Sequence, residues 1–276
     1  MATAPLNTDG FIEFEDVHLS LGGRVILDGL NLSIPNGQVT AIMGPSGAGK
    51  TTLLRLITGQ LKPDQGRVVV NGQVVNKMTT KALNQYRKNV GVLLQNGALF
   101  TDLTCFDNIA LPLREHTDLP EVLIRKVVLM KLHTVGLRGA AEMYPRELSG
   151  GMNRRIAMAR AMAMDPGVML YDEPFAGLDP ISMGISLRLI RRVNEALGMT
   201  SLVVTHDINE VAKLAHLACI IAQGNIIAAA APDELAQSKE PLVEQFMQGL
   251  PDGPVAFHYP APDLADDLLG SGKDHA

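Results

Sequence analysis

Short apolar runs separated by turn residues fill the first third of the chain and predict β-strands. Runs of strand length occupy residues 11–21, 25–34, 38–43, 67–70, 74–75 and 90–94. Asn71–Gly72, between two of these runs, is typical of a two-residue β-hairpin. Residues 50–58 show helical spacing, and Gly59 is suited to end that helix.

Helical spacing dominates from about residue 96 to residue 163, which predicts a mostly helical insertion between two sheet strands. Within it, residues 119–137 and 149–164 are predicted helices. The remaining elements alternate: strand 168–171, helix 180–197, strand 202–205, helix 207–216, and a hairpin of residues 217–221 and 226–229 around Gly224–Asn225. This alternation is typical of a parallel α/β sheet.

The helix predicted at 180–197 carries an apolar residue at every fourth position, from Ile181 to Leu197. Asp179 is suited to cap its start, Pro180 fits its first position, and Gly198 is suited to end it.

Charge and composition narrow the class of protein. There are 24 Lys plus Arg against 29 Asp plus Glu, a net charge of −5, whereas nucleic-acid binders are normally basic. With 46% hydrophobic and 19% charged residues, the chain has enough apolar side chains for a core. Two cysteines, Cys105 and Cys219, are too few for a disulfide scaffold, so we expect a reducing compartment.

Neither a targeting segment nor a membrane-spanning segment is expected. Residues 1–10 lack the pattern of a signal peptide. The most apolar stretches, 217–222 and 226–231, are far shorter than the roughly 20 residues that a spanning helix needs. We therefore expect another chain to provide any membrane-spanning part.

The sequence Gly44-Pro45-Ser46-Gly47-Ala48-Gly49-Lys50-Thr51 matches the phosphate-binding pattern G-x-x-x-x-G-K-[ST] between a predicted strand and a predicted helix. Glycines at this spacing let backbone N–H groups converge on phosphate oxygens, and the helix N-terminus favours an anion. Lys50 provides a positive charge for the β- and γ-phosphates, and the Thr51 hydroxyl can bind Mg²⁺.

Two carboxylates, Asp172 and Glu173, follow the apolar strand 168–171. Ligands of open α/β sheets bind at the carboxyl ends of strands. We therefore expect Asp172 to face the metal and Glu173 to lie near the γ-phosphate, where it could polarise an attacking water.

Residues Leu148-Ser149-Gly150-Gly151-Met152 open the helix predicted at 149–164. Taken alone, they are explained by Ser149 as an N-cap followed by two flexible glycines. The alternative is a second helix N-terminus prepared for an anion.

These segments together resemble the ATP-binding subunits of ABC transporters, over residues 11–227. Six motifs follow the family's order: Walker A at 44–51, the Q-loop at Gln95, the signature at 148–152, Walker B at 168–172 followed by Glu173, the D-loop at 176–179 and the switch histidine His206. The resemblance implies an α/β fold of the P-loop NTPase (RecA-like) type. Its parallel sheet core would carry an antiparallel β subdomain and the inserted α-helical subdomain at 96–163.

The resemblance also implies an ATPase domain at residues 11–248, an N-terminal tail at 1–10 and a C-terminal extension at 249–276. ATP would lie at the interface of a head-to-tail homodimer. The nucleotide would be held by Gly44, Pro45, Ser46, Gly47, Ala48, Gly49, Lys50, Thr51 and Thr52 of one subunit and, in trans, by Ser149, Gly150, Gly151 and Met152 of the other.

Catalytic roles implied by the resemblance fall to Glu173 as general base, to His206 and to Lys50. Thr51, Gln95 and Asp172 would bind Mg²⁺. Simpler interpretations stay open for three residues of these motifs. Gln95 could be a solvated loop amide, His206 a helix-start residue before the Asp207 cap, and Asp179 of the D-loop chiefly an N-cap.

Two departures from the family pattern affect the nucleotide. Met152 stands where the signature usually has glutamine, which would alter contact with the ribose. No aromatic residue stands near Leu21, where the family stacks one on adenine, so Leu21 or Arg24 would make that contact. We therefore expect weak discrimination between bases.

Residues 96–117 and 171–180 further resemble the ATPases of the Mla (maintenance of lipid asymmetry) branch. That branch implies a peripheral subunit at the cytoplasmic face of the inner membrane that drives glycerophospholipid movement between the two membranes of a Gram-negative envelope. The implied partners are membrane permease subunits, an MCE-domain lipid-binding protein and a STAS-domain protein, with no nucleic acid.

Two other functions stay open: an ABC ATPase of another substrate branch, or a soluble one without a membrane role. Lys50 and Ser149 are about 100 residues apart, too few for the coiled-coil insertion of DNA-repair members.

Two segments keep two interpretations each. The apolar residues between Gly97 and Leu103 form either core or a groove for a cytoplasmic helix of the permease. The extension from residue 249 is either a disordered end or an arm that docks on the partner protomer, anchored by Phe257, His258 and Tyr259.

Overall fold

The computed structural model describes residues 10–254, which form two β-sheets flanked by helices. The strands are β1 Ile12–Leu21, β2 Arg24–Ile34, β3 Val39–Met43, β4 Gln65–Val70, β5 Gln73–Val74, β6 Val90–Leu93, β7 Val168–Asp172, β8 Thr200–Val204, β9 Leu217–Ala222 and β10 Asn225–Ala230. The α-helices are α1 Lys50–Ile57, α2 Thr80–Arg87, α3 Cys105–His116, α4 Glu121–Thr134, α5 Gly150–Ala161, α6 Pro180–Leu197, α7 Ile208–Leu214, α8 Pro232–Ala236 and α9 Pro241–Gln248. Predicted strand bounds differ from these by at most two residues.

The larger sheet has six strands in the order β10-β9-β3-β8-β7-β6, all parallel except the β10–β9 pair. Its central strands are buried on both faces, as in sheets covered by helices on two sides. In β7, Met169 and Tyr171 face one core cluster, and Val168 and Leu170 face the other. The smaller sheet is antiparallel, in the order β2-β1-β4-β5.

The segment predicted as a helical insertion contains α3, α4 and α5, which pack together on one face of the larger sheet. The helix predicted at 119–137 is shorter than expected and spans Glu121–Thr134. The next predicted helix begins at Gly150, because the Ser149 hydroxyl caps it by accepting a 3.3 Å hydrogen bond from the backbone N–H of Met152.

Helix α6 has the predicted bounds, and both of its end signals are confirmed. The Asp179 carboxylate accepts hydrogen bonds of 3.0 Å from the backbone N–H groups of Ile181 and Ser182, and Gly198 is left-handed with φ 61°. The apolar stripe forms only part of the buried face, since Leu189 and Val193 are buried whereas Ile181 is 77% exposed. A step of four residues rotates by about 40° around a helix of 3.6 residues per turn, so such a stripe turns away from the core.

Sequence reasoning did not predict α2, α8 or α9. Helix α2 has no fully buried residue, and its apolar contact with the core is limited to the partly buried Leu83 and Tyr86, a pattern too short to predict a helix. Helices α8 and α9 are short, although each begins with a proline and Gly249 ends the second. The turn between β9 and β10 is also one residue earlier than predicted, with Gln223 and Gly224 left-handed and Asn225 already in the strand.

Across residues 10–254, no helix is long and apolar enough to cross a membrane. Residues 1–9 and 255–276 lie outside the described residues, and with them the three predicted anchors Phe257, His258 and Tyr259.

Candidate active site

A cleft of about 540 Å³ lies at the carboxyl ends of β3, β7 and β8. It brings together most of the predicted site residues from distant parts of the chain. From the glycine-rich loop and α1 come Ser46, Gly47, Gly49, Lys50, Thr51 and Thr52, and from later segments come Gln95, Asp172, Glu173 and His206. Gly44, Pro45 and Ala48 belong to the same loop but do not line this cleft.

Close packing fixes the start of the glycine-rich loop. A Cβ atom on Gly44 would lie 2.2 Å from the backbone oxygen of Ile221, so no larger residue fits there. Gly49, with φ 98°, is the N-cap of α1. The next three backbone N–H groups precede the first i→i−4 bond, which Leu53 donates to Gly49 at 3.1 Å. This helix start therefore offers unpaired donors and a positive dipole to an anion.

The Lys50 ammonium lies beside this loop. Its Nζ donates hydrogen bonds to the backbone oxygens of Gly44 at 2.7 Å and Pro45 at 3.0 Å. Burial lowers the pKa of Lys50, and the negative charges of Glu173 and Asp172 oppose that shift. A phosphate anion in the cleft would favour the charged lysine in the same way.

Thr51 and Asp172 meet across the cleft, with the Thr51 hydroxyl donating to Asp172 Oδ1 at 3.1 Å. Burial is the main cause that raises the pKa of Asp172; the Thr51 hydrogen bond opposes it. Mg²⁺ prefers oxygen ligands and is usually held by one or two protein groups together with nucleotide phosphates and water. The two side chains fit that role, and among residues 10–254 no cluster of three or more His, Cys, Asp or Glu offers a purely protein-bound metal site.

Glu173 and His206 form a second pair in the cleft, with Glu173 Oε2 2.9 Å from His206 Nδ1. The Glu173 side chain is 15% exposed and that of His206 is 69% exposed. Asp207 caps α7, as the simpler interpretation of this segment required, by accepting a 3.4 Å bond from the backbone N–H of Glu210. His206 still lines the cleft, so the two interpretations are compatible.

The predicted signature and D-loop residues do not line this cleft. Ser149 and Gly150 are exposed, and Gly151 is buried so closely against α6 that a Cβ would lie 2.6 Å from Ser182 Oγ. Asp179 acts as the N-cap described above. Within one subunit, Ser149 and Asp179 cap helices and Gly151 packs against α6.

The sides of the cleft near β2 carry Arg24 and Ile26, not Leu21. Arg24 was one of two side chains expected near the base. Ile26 was missed, although it packs beside the N-cap of α1: a Cβ on Gly49 would lie 3.3 Å from its Cγ2.

Arg154 was also missed. It extends from α5 to the turn that carries Glu173 and donates to two backbone oxygens there. Since α5 also carries Arg155 and Arg160, its sequence contains no signal that singles out Arg154.

Comparison with known proteins agrees with this geometry. The family model described as "ABC transporter" matches residues 27–176. The Haemophilus influenzae protein "Intermembrane phospholipid transport system ATP-binding protein MlaF" is 55% identical over 258 residues, covering 94% of this chain and 98% of that protein. Its namesake from Escherichia coli K12 is 50% identical, covering 94% and 96%.

Solved structures give the same result for the fold. CbiO1 of Clostridium perfringens, part of the ABC transporter complex CbiONQ, superposes with a TM-score of 0.78 at 30% identity, covering 88% of this chain and 96% of that one. A dimeric ATP-binding cassette in a post-hydrolysis state with ADP and Pi has a TM-score of 0.73 at 31% identity, covering 80% and 98%. The fold class expected from the sequence is confirmed.

Proposed function

Since this chain belongs to the ABC transporter family and is an ATPase, we propose that it drives the movement of glycerophospholipids between the two membranes of a Gram-negative envelope. The observation that carries the lipid assignment is 55% identity across 98% of a relative named for intermembrane phospholipid transport. The cleft supports the chemistry, since it places a lysine, two carboxylates and a histidine around the phosphate-binding loop.

In this proposal Lys50 and the N–H groups of the loop hold the β- and γ-phosphates of ATP. Thr51, Asp172 and Gln95 would hold Mg²⁺, which supplies positive charge against the phosphate oxygens when bound. Glu173 accepts the proton of the attacking water, and its carboxylate is oriented by the 2.9 Å contact with His206. His206, on the exposed side, also orients the γ-phosphate.

Completion of the site requires a second copy of the chain. The signature residues Ser149, Gly150, Gly151 and Met152 lie outside their own cleft, and the first two are exposed at the start of α5. Such a helix start suits contact with the γ-phosphate bound by the partner subunit. A head-to-tail homodimer is supported by the solved cassette that is dimeric with ADP and Pi. Asp179 holds the D-loop at the same interface.

A groove of about 880 Å³ supports a membrane permease as the next partner. It lies between α2, the edge strand β6 and α3. Phe100 lines it and is 49% exposed, with the Arg160 guanidinium 5.7 Å from its ring, whereas Gly97 and Leu99 are more buried. The apolar patch after Gln95 is thus part core and part groove, and an amphipathic helix of the permease fits the open part.

The remaining parts of the proposal rest on the resemblance. The ATPase would be peripheral, at the cytoplasmic face of the inner membrane, held there by the permease. An MCE-domain protein and a STAS-domain protein would complete the complex, and the C-terminal extension would dock on the partner protomer. A net charge of −5 gives no support for nucleic acid as a ligand.

Mass spectrometry of what copurifies with the tagged full-length chain in mild detergent tests this proposal. We expect a permease, an MCE-domain protein and bound phospholipid. A permease of another substrate class would overturn the lipid assignment while leaving the ATPase chemistry intact. No membrane partner at all would favour the soluble ABC ATPase.

A further inference from the structure

Arg154 connects the helix that begins with the signature to the turn that carries Glu173. Its Nη1 donates to the backbone oxygen of Glu173 at 2.7 Å, and its Nη2 donates to the backbone oxygen of Ala176 at 3.1 Å. One planar guanidinium therefore holds both ends of the turn from residue 173 to residue 176. Arginine suits this task because its donors form a rigid fork.

The turn needs such support because its first residue has an unfavourable backbone. Glu173 has φ 48°, in the left-handed region that residues other than Gly, Asn and Asp rarely adopt. Its backbone N–H donates to Val204 at 2.9 Å, and its backbone oxygen accepts from Arg154. The direction of the Glu173 carboxylate toward His206 depends on this backbone geometry. Arg154 therefore influences the carboxylate through the backbone and does not contact it directly.

The other end of the same connection is the signature. Arg154 lies in the second turn of α5, whose N-cap is Ser149. Gly151, in the first turn, packs directly against Ser182 near the start of α6. A displacement of the start of α5 would therefore move the Arg154 guanidinium together with the carbonyls that it holds.

We propose that Arg154 is a positioning residue for hydrolysis, which sets the Glu173 turn and ties it to the signature and thereby to ATP bound by the partner subunit. The inference rests on the proposed function, in that it takes Glu173 as the base and the signature as a contact in trans. It adds a physical link between the two nucleotide sites of the dimer.

The matched control is the neighbouring arginine. Arg155 is similarly half-buried on α5 and donates its Nη1 to the backbone oxygen of Val135 at 3.0 Å, away from the catalytic turn. Arg154→Gln and Arg155→Gln therefore remove guanidinium–carbonyl hydrogen bonds from one helix, two in the first variant and one in the second. Both are made in the full-length chain with its copurifying subunits, and Tm, KM for ATP and kcat are measured.

We expect Arg154→Gln to lower kcat about 10- to 100-fold, as small misplacements of catalytic groups do, with KM changed less than about threefold. Arg154→Lys, which keeps the charge but not the fork, should recover part of this loss. Arg155→Gln should also lower Tm, while its kcat stays within about threefold of the wild-type value. In a Glu173→Gln background, Arg154→Gln should add no further loss, since the group that it positions is already absent.

Equal kcat losses in the two glutamine variants, or full additivity with Glu173→Gln, would overturn the inference. These outcomes are separable from failure of the proposed function. If Glu173→Gln is fully active, Glu173 is not the base, and the proposed mechanism and the inference about Arg154 both fail. If Glu173→Gln is inactive but the two arginine variants lose kcat equally, only the link through Arg154 fails.

Discussion

The imidazole of His206 and the carboxylate of Glu173 lie 2.9 Å apart, although 33 positions separate them in the chain. They meet because β7 and β8 are adjacent and parallel, so the residues just after each strand are at the same edge of the sheet. The pair is therefore a property of the topology, and neither residue alone predicts it. It also explains why a carboxylate with little exposure can face an exposed histidine across the mouth of the cleft.

Removing the base tests the role of Glu173. We expect Glu173→Gln to slow hydrolysis by about 10²–10⁴ while ATP stays bound, since the amide cannot accept the proton of the water. The variant should accumulate as a dimer with ATP, measured by light scattering beside a steady-state ATPase assay. Glu195→Gln, on the exposed surface of α6, is the control. Wild-type turnover in the first variant would exclude Glu173 as the base.

A charged residue in place of Phe100 tests whether the groove binds the permease. Phe100→Asp should abolish transport and release the permease, since burying a carboxylate against an apolar helix is energetically unfavourable. ATP affinity should stay within about threefold of the wild-type value. Copurification of the permease and ATP binding are the measurements. Leu197→Asp alters a residue of similar exposure on α6, 52% against 49%, outside this groove. Full transport by Phe100→Asp would contradict the assignment.

Base selectivity should be weak because, within the described residues, the lining of the cleft includes Arg24 and Ile26 but no Phe, Tyr or Trp ring. We expect KM values for ATP and GTP within about tenfold of one another, since contacts of this kind contribute only about 0.5–1 kcal/mol at exposed sites. Arg24→Ala should raise both values by about two- to fivefold. A GTP affinity hundreds of times weaker than that for ATP would show that another residue reads the base.

The partly buried carboxylate of Asp172 should destabilise the folded, nucleotide-free chain. Burial raises its pKa, so its charged form is disfavoured in the folded chain at neutral pH. The penalty is present above the raised folded pKa and is relieved as the pH falls through it. Asp172→Asn should therefore raise the Tm of the nucleotide-free chain by a few degrees at neutral pH, with a gain that fades in acid.

The same variant should lose the stabilisation that Mg²⁺ adds to ATP binding, because one proposed oxygen ligand is gone. Thermal melts at several pH values, with and without MgATP, give both results. Asp102→Asn, at an exposed turn, should change neither. A lower Tm at neutral pH would show that the favourable contacts of the Asp172 carboxylate outweigh its burial.

Sequence patterns predicted the elements whose ends are set by residues within one or two turns of the chain. The bounds of α6 followed from Asp179, Pro180 and Gly198, whose capping chemistry acts within one turn. The glycine-rich loop and the two carboxylates were predicted with their strands for the same reason. The buried face of α6 was not predicted, because it depends on which side the sheet lies, and a fixed four-residue stripe cannot report that.

The residues that sequence reasoning missed act over long distances. Arg154 reaches across 19 and 22 positions to backbone oxygens, which leave no trace in side-chain patterns. Ile26 lines the cleft only because β2 lies over the N-cap of α1. Helix α2 is held to the end of α1 through the Tyr86 hydroxyl, which donates to Ile57, and through Arg87, which donates to Thr58, in addition to the partial burial of Leu83 and Tyr86.

Strand β6 at the sheet edge has a practical consequence for producing this protein. Three of its residues, Val90, Gly91 and Val92, line the same groove as the half-exposed ring of Phe100, and strand edges next to apolar surface tend to pair with other chains. Expressed without its membrane subunit, the ATPase should self-associate through this edge at high concentration. Coexpression with the permease should therefore raise the yield of monodisperse protein.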